Sequence, residues 1–119
     1  ELQRRARLAE RYSHALGARC VLPLVAPGNT HTYAQYTVRA PARDALAAHL
    51  SQRGIPSAVH YRTCVHEQPA FRDGASAPRL PESERAAREV LSLPLHAFLD
   101  DGDQDRVIEA VLSGLERAR

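Results

Sequence analysis

The spacing of apolar side chains divides the chain into helical and extended segments. Over residues 1–17 the apolar side chains recur every three or four positions, which predicts an amphipathic helix. Gly17 suits the position just beyond a helix, so we expect the helix to end there. The predicted apolar stripe consists of Leu2, Ala6, Ala9, Tyr12 and Leu16.

Later segments have the patterns of β-strands. Residues 32–40 alternate with a period of two and form the strongest predicted strand. Residues 20–25 are a short apolar run, but Pro23 limits them to an edge strand or an extended segment. Residues 55–61 are predicted as a further strand. Residues 92–96 should be extended, because a residue that precedes a proline avoids the helical region.

Three further helices are predicted from start and stop signals. The second lies between Pro41, which suits a first helical turn, and Gly54. Pro81 begins the third, and Asp103 is the expected N-cap of the last. The third helix is expected to carry Ala86, Ala87, Val90 and Leu91. The apolar stripe of the last helix contains Val107, Ile108, Val111, Leu112 and Leu115.

These elements predict an α/β fold with a small, mainly antiparallel sheet flanked by helices. Strand, helix and strand follow one another between residues 32 and 61. The length suits a single domain spanning residues 1–119. Residues 62–80 form a long connection that includes Pro69, Gly74 and Pro78, and a connection of that length is usually functional or mobile.

Composition and charge argue against several classes of function. All sixteen basic residues are arginine, so the chain has no lysine for a Schiff base, a general base or a Walker-type phosphate loop. The formal charge is +2, aromatics are 5% and tryptophan is absent, which argues against a dedicated nucleic-acid binder. The arginines of the first helix are therefore expected to form a solvated face. No apolar run approaches the roughly 20 residues that span a bilayer.

The cysteine content and the N-terminal residues bear on the cellular compartment of the protein and on whether the chain is a fragment. Cys20 and Cys64 do not make a disulfide framework, and the arginine-rich start lacks the apolar core of a secretory signal. These features predict a cytoplasmic protein. The chain begins within a predicted helix and contains no methionine, so we expect a fragment, a processed product or a truncated gene product.

Three stretches carry motifs: PGNTHTYAQYTVR at residues 27–39, RGIPSAVHY at 53–61 followed by HEQPAF at 66–71, and AAREVLSLPLH at 86–96. In order and approximate spacing they resemble the DegT/DnrJ/StrS-type, PLP-dependent nucleotide-sugar aminotransferases. The resemblance covers essentially the whole chain. It is to the smaller, C-terminal domain of these fold type I enzymes. The larger domain carries the PLP lysine, the acidic partner of the pyridine nitrogen and most phosphate contacts, and it is not represented.

The resemblance implies a function for the intact enzyme. Such enzymes move an amino group from glutamate to a keto group on a nucleotide-linked sugar destined for lipopolysaccharide, O-antigen or antibiotic glycosides. This chain would supply part of the sugar-nucleotide cleft and of a dimer surface. Since it has no lysine, it would supply no catalytic residue and bind no PLP covalently. We expect a homo-oligomer with a nucleotide-sugar substrate and with neither nucleic acid nor membrane as a partner.

By resemblance, His60 and Tyr61 match the His-Tyr pair that reaches the nucleotide sugar. The alternative for Tyr61 is a core aromatic residue with its hydroxyl at the rim. His31 and His66 are further substrate-binding candidates, for which the alternative is hydrogen bonding within loops. Arg62 is a fifth candidate, because a guanidinium binds a diphosphate or carboxylate well.

One departure from the family bears on this site. The family usually follows His-Tyr with Pro, another residue, Pro and Leu, whereas this chain has Arg62-Thr63-Cys64-Val65. Without the prolines the loop loses its fixed backbone angles, which leaves open whether it preserves the substrate site.

Two other chemistries would use residues of the same loop. His60, Cys64 and His66 fall short of four metal ligands and lack a paired spacing, so no metal site is expected. A Cys64–His60 nucleophile pair lacks an evident oxyanion donor. Two other functional classes also stay open: a stand-alone, non-catalytic module that binds a nucleotide sugar or a partner protein, and a small RNA-binding α/β domain.

Overall fold

Four helices and a two-stranded antiparallel sheet make up the part of the chain that the computed structural model describes, residues 1–71 and 78–118. The helices are α1 (Leu2–Leu16), α2 (Arg43–Gln52), α3 (Pro81–Glu89) and α4 (Asp101–Arg117). The strands are β1 (Tyr36–Arg39) and β2 (Val90–Leu93). Short 3-10 turns span Gly17–Arg19, Val65–Glu67 and Pro69–Phe71. The predicted fold class is confirmed.

The sheet is smaller than its sequence pattern predicted. β1 pairs with β2 from Tyr36 opposite Leu93 to Arg39 opposite Val90. The predicted strands at 20–25 and 55–61 are each reduced to one bridge. Those bridges join Val21 to Arg39 and Ala58 to Ser92 on the outer edges of the sheet. The prolines Pro23 and Pro56 lie two residues from Val21 and Ala58 and have no N–H to extend the pairing.

The boundary between α3 and β2 also differs from the prediction. Val90 and Leu91 were expected in the helix, but α3 ends at Glu89 and the backbone of Val90 is extended. Leu91 is fully buried and lies opposite Val38 of β1. Cross-strand pairing with β1 therefore overrides the helical pattern, as tertiary context often does for local propensity.

The last helix begins earlier than expected. Its N-cap is Asp100 rather than Asp103, because Asp103 N donates a 2.7 Å hydrogen bond to Asp100 Oδ1. This is the usual N-cap geometry, in which the side chain satisfies a free amide of the first turn.

The core lies between the sheet and the inner faces of α1, α2 and α4. The buried stripe of α1 is Leu8, Ala9, Tyr12 and Leu16. Leu2 and Ala6, which the periodicity placed on that stripe, are exposed. Two buried polar groups hold α1 to its neighbours: Tyr12 Oη donates to Pro94 O at 2.7 Å, and Gln104 Nε2 donates to Leu8 O at 2.7 Å.

Arg4 and Arg11 of α1 form contacts with other elements rather than lying on a solvated face, whereas Arg7 is exposed as predicted. Arg4 bonds Asp101 and Leu99 O, and Arg11 bonds Asp105 and Gln104. The reason is geometric, since α1 packs beside the acidic first turns of α4. Among the described residues, no helix combines the length and the apolar character that crossing a membrane requires.

Candidate functional site

A cavity of about 660 Å³ opens beside the connection between residues 58 and 80. One wall comes from that connection and includes His60, Tyr61, Cys64 and His66. The opposite wall comes from α3 and the start of β2. Its other lining residues are Thr63, Val65, Phe71, Pro78, Leu80, Ser83, Ala86, Ala87 and Val90. Most of the wall is apolar, and its polar side chains include His60, Tyr61, His66 and, on α3, Ser83.

The sheet edge positions His60 and Tyr61. Ala58 exchanges two backbone hydrogen bonds with Ser92 of β2, at 3.1 and 2.7 Å, which attaches the segment to the outer edge of the sheet. The chain leaves the sheet directly after this bridge and carries His60 and Tyr61 to the cavity mouth. Tyr61 is 76% exposed, so it is not a core aromatic residue. Its ring lies edge-to-face with His60, with centroids 5.4 Å apart.

His66 is the most enclosed of the predicted site residues at this cavity. Its Nε2 lies 3.4 Å from Oε1 of Glu84 on α3, and both side chains are about 10% exposed. Glu84 also accepts hydrogen bonds from Arg79 Nε and Nη2 at 3.2 and 3.0 Å and from Leu80 N at 3.2 Å. The Arg79 hydrogen bonds, followed by that of Leu80, lower the pKa of the Glu84 carboxyl. Glu84 thus joins the connection to the first turn of α3.

Arg62 points away from this group. Its Nη1 donates to Asp44 Oδ1 at 2.9 Å, and Arg43 Nε donates to the same oxygen at 2.8 Å. The hydrogen bond from Arg62 is the main reason why the pKa of Asp44 is lowered. Arg62 therefore links its loop to the start of α2 and does not line the cavity.

His31 lies at a different place. Its Nδ1 accepts a 2.8 Å hydrogen bond from Tyr33 N, and the two rings stack with centroids 4.3 Å apart. This contact supports the backbone of Tyr33, which has a φ of 50°. His31 lines a separate cavity of about 390 Å³ with Pro23, Gln35 and other residues of the neighbouring loop.

The structure thus brings together three of the five predicted site residues, His60, Tyr61 and His66. It also adds residues that the sequence argument did not select. One of them is Glu84 on α3, which the sequence pattern marked only as part of a helix start. Glu67 joins Cys64 and His66, and one ligand-type atom from each lies within 4.8 Å of the others. The sequence signal that could have selected this trio is the position of Glu67, three residues after Cys64. Residues 72–77 of the predicted 62–80 connection, including Gly74, lie outside the described residues.

Burial first, and then the neighbouring Glu67 carboxylate, raise the pKa of the Cys64 thiol. The thiol is half-buried and is not in a disulfide. Cys64 is therefore held as a neutral thiol at the cavity wall at neutral pH. A neutral thiol is a poorer nucleophile than a thiolate.

Comparison with a family model and with curated proteins gives matches over most of this chain. The DegT/DnrJ/EryC1/StrS aminotransferase family matches residues 1–112. A pleiotropic regulatory protein of Geobacillus stearothermophilus is 42% identical over 98 residues, which are 82% of this chain and 26% of the relative. A Streptomyces venezuelae dTDP-3-amino-3,4,6-trideoxy-alpha-D-glucose transaminase is 40% identical over 118 residues, which are 96% of this chain and 31% of the relative.

Among solved structures, S. venezuelae DesV in complex with a ketimine intermediate superimposes with a TM-score of 0.87 and 38% identity. The match covers 97% of this chain and 32% of that chain. The chain therefore spans between a quarter and a third of the length of these relatives.

Proposed function

Because this chain belongs to the DegT/DnrJ/EryC1/StrS aminotransferase family, we propose that it is the small, C-terminal part of a PLP-dependent nucleotide-sugar aminotransferase. The family resemblance of the three motifs is confirmed. Relatives of the chain include sugar aminotransferases, one of which is named for a dTDP-linked sugar. We propose that the protein to which this chain belongs has a sugar aminotransferase activity of the same kind.

The observation that carries the proposal is the meeting of His60, Tyr61 and His66 at one cavity. Its volume of about 660 Å³ falls within the usual range of small-molecule sites, roughly 300–1,000 Å³. An imidazole and a phenol at its mouth offer hydrogen bonds to sugar hydroxyls or diphosphate oxygens. The apolar opposite wall suits the less polar face of a deoxysugar. We propose that this cavity is one side of the sugar-nucleotide cleft.

The family depends on PLP, which supplies the electron sink for amino transfer. The residues of this chain do not fit covalent attachment of that cofactor, because none of the 119 is lysine. The attachment site therefore has to come from polypeptide outside these residues. In this proposal the chain binds and orients the sugar nucleotide and encloses one side of the cleft.

Arg62 and His31 remain predictions as substrate contacts. Arg62 would have to leave Asp44 before it could reach a diphosphate. His31 would have to act from its own cavity, with Nδ1 already occupied by Tyr33 N. We therefore assign the first contact with substrate to His60 and Tyr61.

We extend the proposal to the biological setting. The aminated sugar would enter lipopolysaccharide, O-antigen or a related glycan, and the reaction would take place in the cytoplasm. The free thiols of Cys20 and Cys64 fit a reducing compartment. Around the cavity several large apolar side chains are exposed, including Val65 at 70% and Phe71 at 65%. Such a patch fits burial against a larger domain or a second subunit.

A nucleotide-sugar titration tests the site. We expect dTDP-glucose added to the isotope-labelled chain to shift the amide resonances of residues 60–66 and of α3 in a saturable way. The variants His60→Ala and Tyr61→Phe should weaken this binding, because each removes one hydrogen-bonding group. His14→Ala removes an exposed imidazole of α1 outside the cavity and serves as the control. Saturable shifts of equal affinity in all variants would refute the assignment of this pair.

The mass of the protein isolated from its native source separates the proposal from the stand-alone module. An aminotransferase subunit with a lysine-bearing domain would be much heavier than 13.1 kDa. A native mass of 13.1 kDa that still bound a nucleotide sugar would instead support the non-catalytic module.

A further inference from the structure

A metal-ligating group of side chains surrounds the 3-10 turn Val65–Glu67 at the wall of the cavity. One ligand-type atom from each of Cys64, His66 and Glu67 lies within 4.8 Å of the others. In the part of the chain that the structure describes, it is the one group of three or more His, Cys, Asp or Glu side chains this close. From this juxtaposition we propose that Cys64, His66 and Glu67 bind a single thiophilic divalent transition-metal ion, with Zn²⁺ preferred.

The turn itself brings the thiol and the carboxylate together. A 3-10 turn has three residues per turn, so side chains three positions apart stack over one another. Cys64 is the N-cap and Glu67 is the last residue of the turn. Glu67 N donates to Cys64 O at 3.0 Å, and Gln68 N donates to Val65 O at 3.1 Å. Local backbone hydrogen bonding therefore holds two of the three ligands side by side.

The third ligand is oriented by α3. His66 Nε2 lies 3.4 Å from Glu84 Oε1, and Arg79 and Leu80 N fix that carboxylate. Histidines that bind metals usually donate their other ring N–H to a carboxylate or carbonyl group, which sets the tautomer and the ring plane. Coordination through Nδ1 of His66 leaves Nε2 to donate to Glu84.

The donor set and its spacing suit Zn²⁺. Thiolate, imidazole and carboxylate are its three common protein ligands, and a tetrahedral site holds them about 3.3–3.8 Å apart. In the proposed complex, side-chain rotation would bring the present separations, which are within 4.8 Å, to that range. Three protein ligands leave a fourth position, and Cys64 and His66 both line the cavity, which provides a path of entry. Metal binding would displace the proton of the Cys64 thiol, and the charge of the cation would then offset the repulsion between the thiolate and the Glu67 carboxylate.

This site differs from the three potential metal ligands, His60, Cys64 and His66, that the sequence pattern offers. That set contained His60, which stands at the cavity mouth against Tyr61, and it omitted Glu67. The proposal also stands apart from the proposed aminotransferase function, because it concerns binding of a metal ion by this chain alone.

Cobalt substitution tests the site. Reduced, chelator-treated chain titrated with Co²⁺ should develop a thiolate-to-cobalt charge-transfer band in the near ultraviolet, saturating at one ion per chain and lost on addition of Zn²⁺. Cys64→Ser should abolish the band, and His66→Gln and Glu67→Gln should each weaken Co²⁺ binding at least about tenfold. Cys20→Ser is the matched control, since this other thiol packs against the hydrophobic core and should be irrelevant.

A measurement on the unaltered chain keeps the proposal testable if a variant fails to fold. Zn²⁺ should slow alkylation of Cys64 by iodoacetamide at least about tenfold and leave Cys20 unaffected, as read by peptide mass mapping. Three results would overturn the proposal: absence of a saturable band, a band that persists in folded Cys64→Ser, or equal alkylation rates of Cys64 with and without Zn²⁺.

Discussion

Replacing Gly114 by alanine should destabilise the fold, although alanine is the better helix former. Gly114 is buried in α4, where that helix packs against α2. A Cβ atom placed there would lie 2.7 Å from Leu46 Cδ1 and 2.9 Å from His49 Cδ2. Leu46 and His49 are 1% and 9% exposed, so neither can move into solvent without opening the α2–α4 contact.

The magnitude follows from two opposing terms. Ordinary van der Waals contact begins at 3.4 Å, so the methyl group would approach Leu46 about 0.7 Å too closely. Overpacking of this kind costs about 1–3 kcal/mol. The helix preference of alanine over glycine offsets up to about 1 kcal/mol. Because two buried side chains are crowded at once, we expect a net loss of about 1–2 kcal/mol, or roughly 4–8 °C in melting temperature.

Urea unfolding followed by far-ultraviolet circular dichroism measures this loss. Gly102→Ala is the matched control, because Gly102 lies in the first turn of the same helix and its added Cβ would only touch Asp100 Oδ1 at 3.4 Å. The control should be neutral or stabilised by up to about 1 kcal/mol. If Gly114→Ala proves as stable as Gly102→Ala, the close approach of α2 and α4 does not require glycine, and the reasoning is wrong.

Three further results are expected. Burial, and then the charges of Arg53 and Arg117, lower the pKa of His49 below its ordinary value. As the pH falls below about 6.5, the unfolded chain therefore takes up a proton at His49 before the folded chain does, and the fold loses stability. Urea unfolding should show this decline in the wild type and a less steep decline in His49→Leu. Because the chain has no lysine, PLP followed by borohydride should modify only the N-terminal amine, and a reduced adduct on an internal residue in peptide mapping would contradict this. The exposed apolar residues around the cavity should drive self-association, so sedimentation of a monomer at high concentration without binding of a hydrophobic dye would count against it.

Much of the helical structure could be predicted from the sequence. α1 ends at Leu16 before Gly17, and α3 begins at Pro81, because these boundaries depend on residues within one turn of the helix end. The family could also be identified from three motifs, since their order along the chain is a property of the sequence alone. His60 and Tyr61 were selected in this way.

Only the tertiary structure decided the sheet and the composition of the site. Val90 and Leu91 continue a helical pattern in the sequence, but pairing with β1, more than fifty residues earlier in the chain, makes them a strand. In the same way, Asp44 of α2 turns Arg62 away from the cavity, and Glu84 of α3 orients His66.

The physical reason is the range of the interactions. Caps, turns and helical periodicity act between residues a few positions apart, so the sequence by itself determined where α1 ends and where α3 begins. Strand pairing, ion pairs and burial join residues that the sequence separates by tens of positions. Which carboxylate meets which arginine or imidazole was therefore settled only when α2, α3 and the sheet packed together.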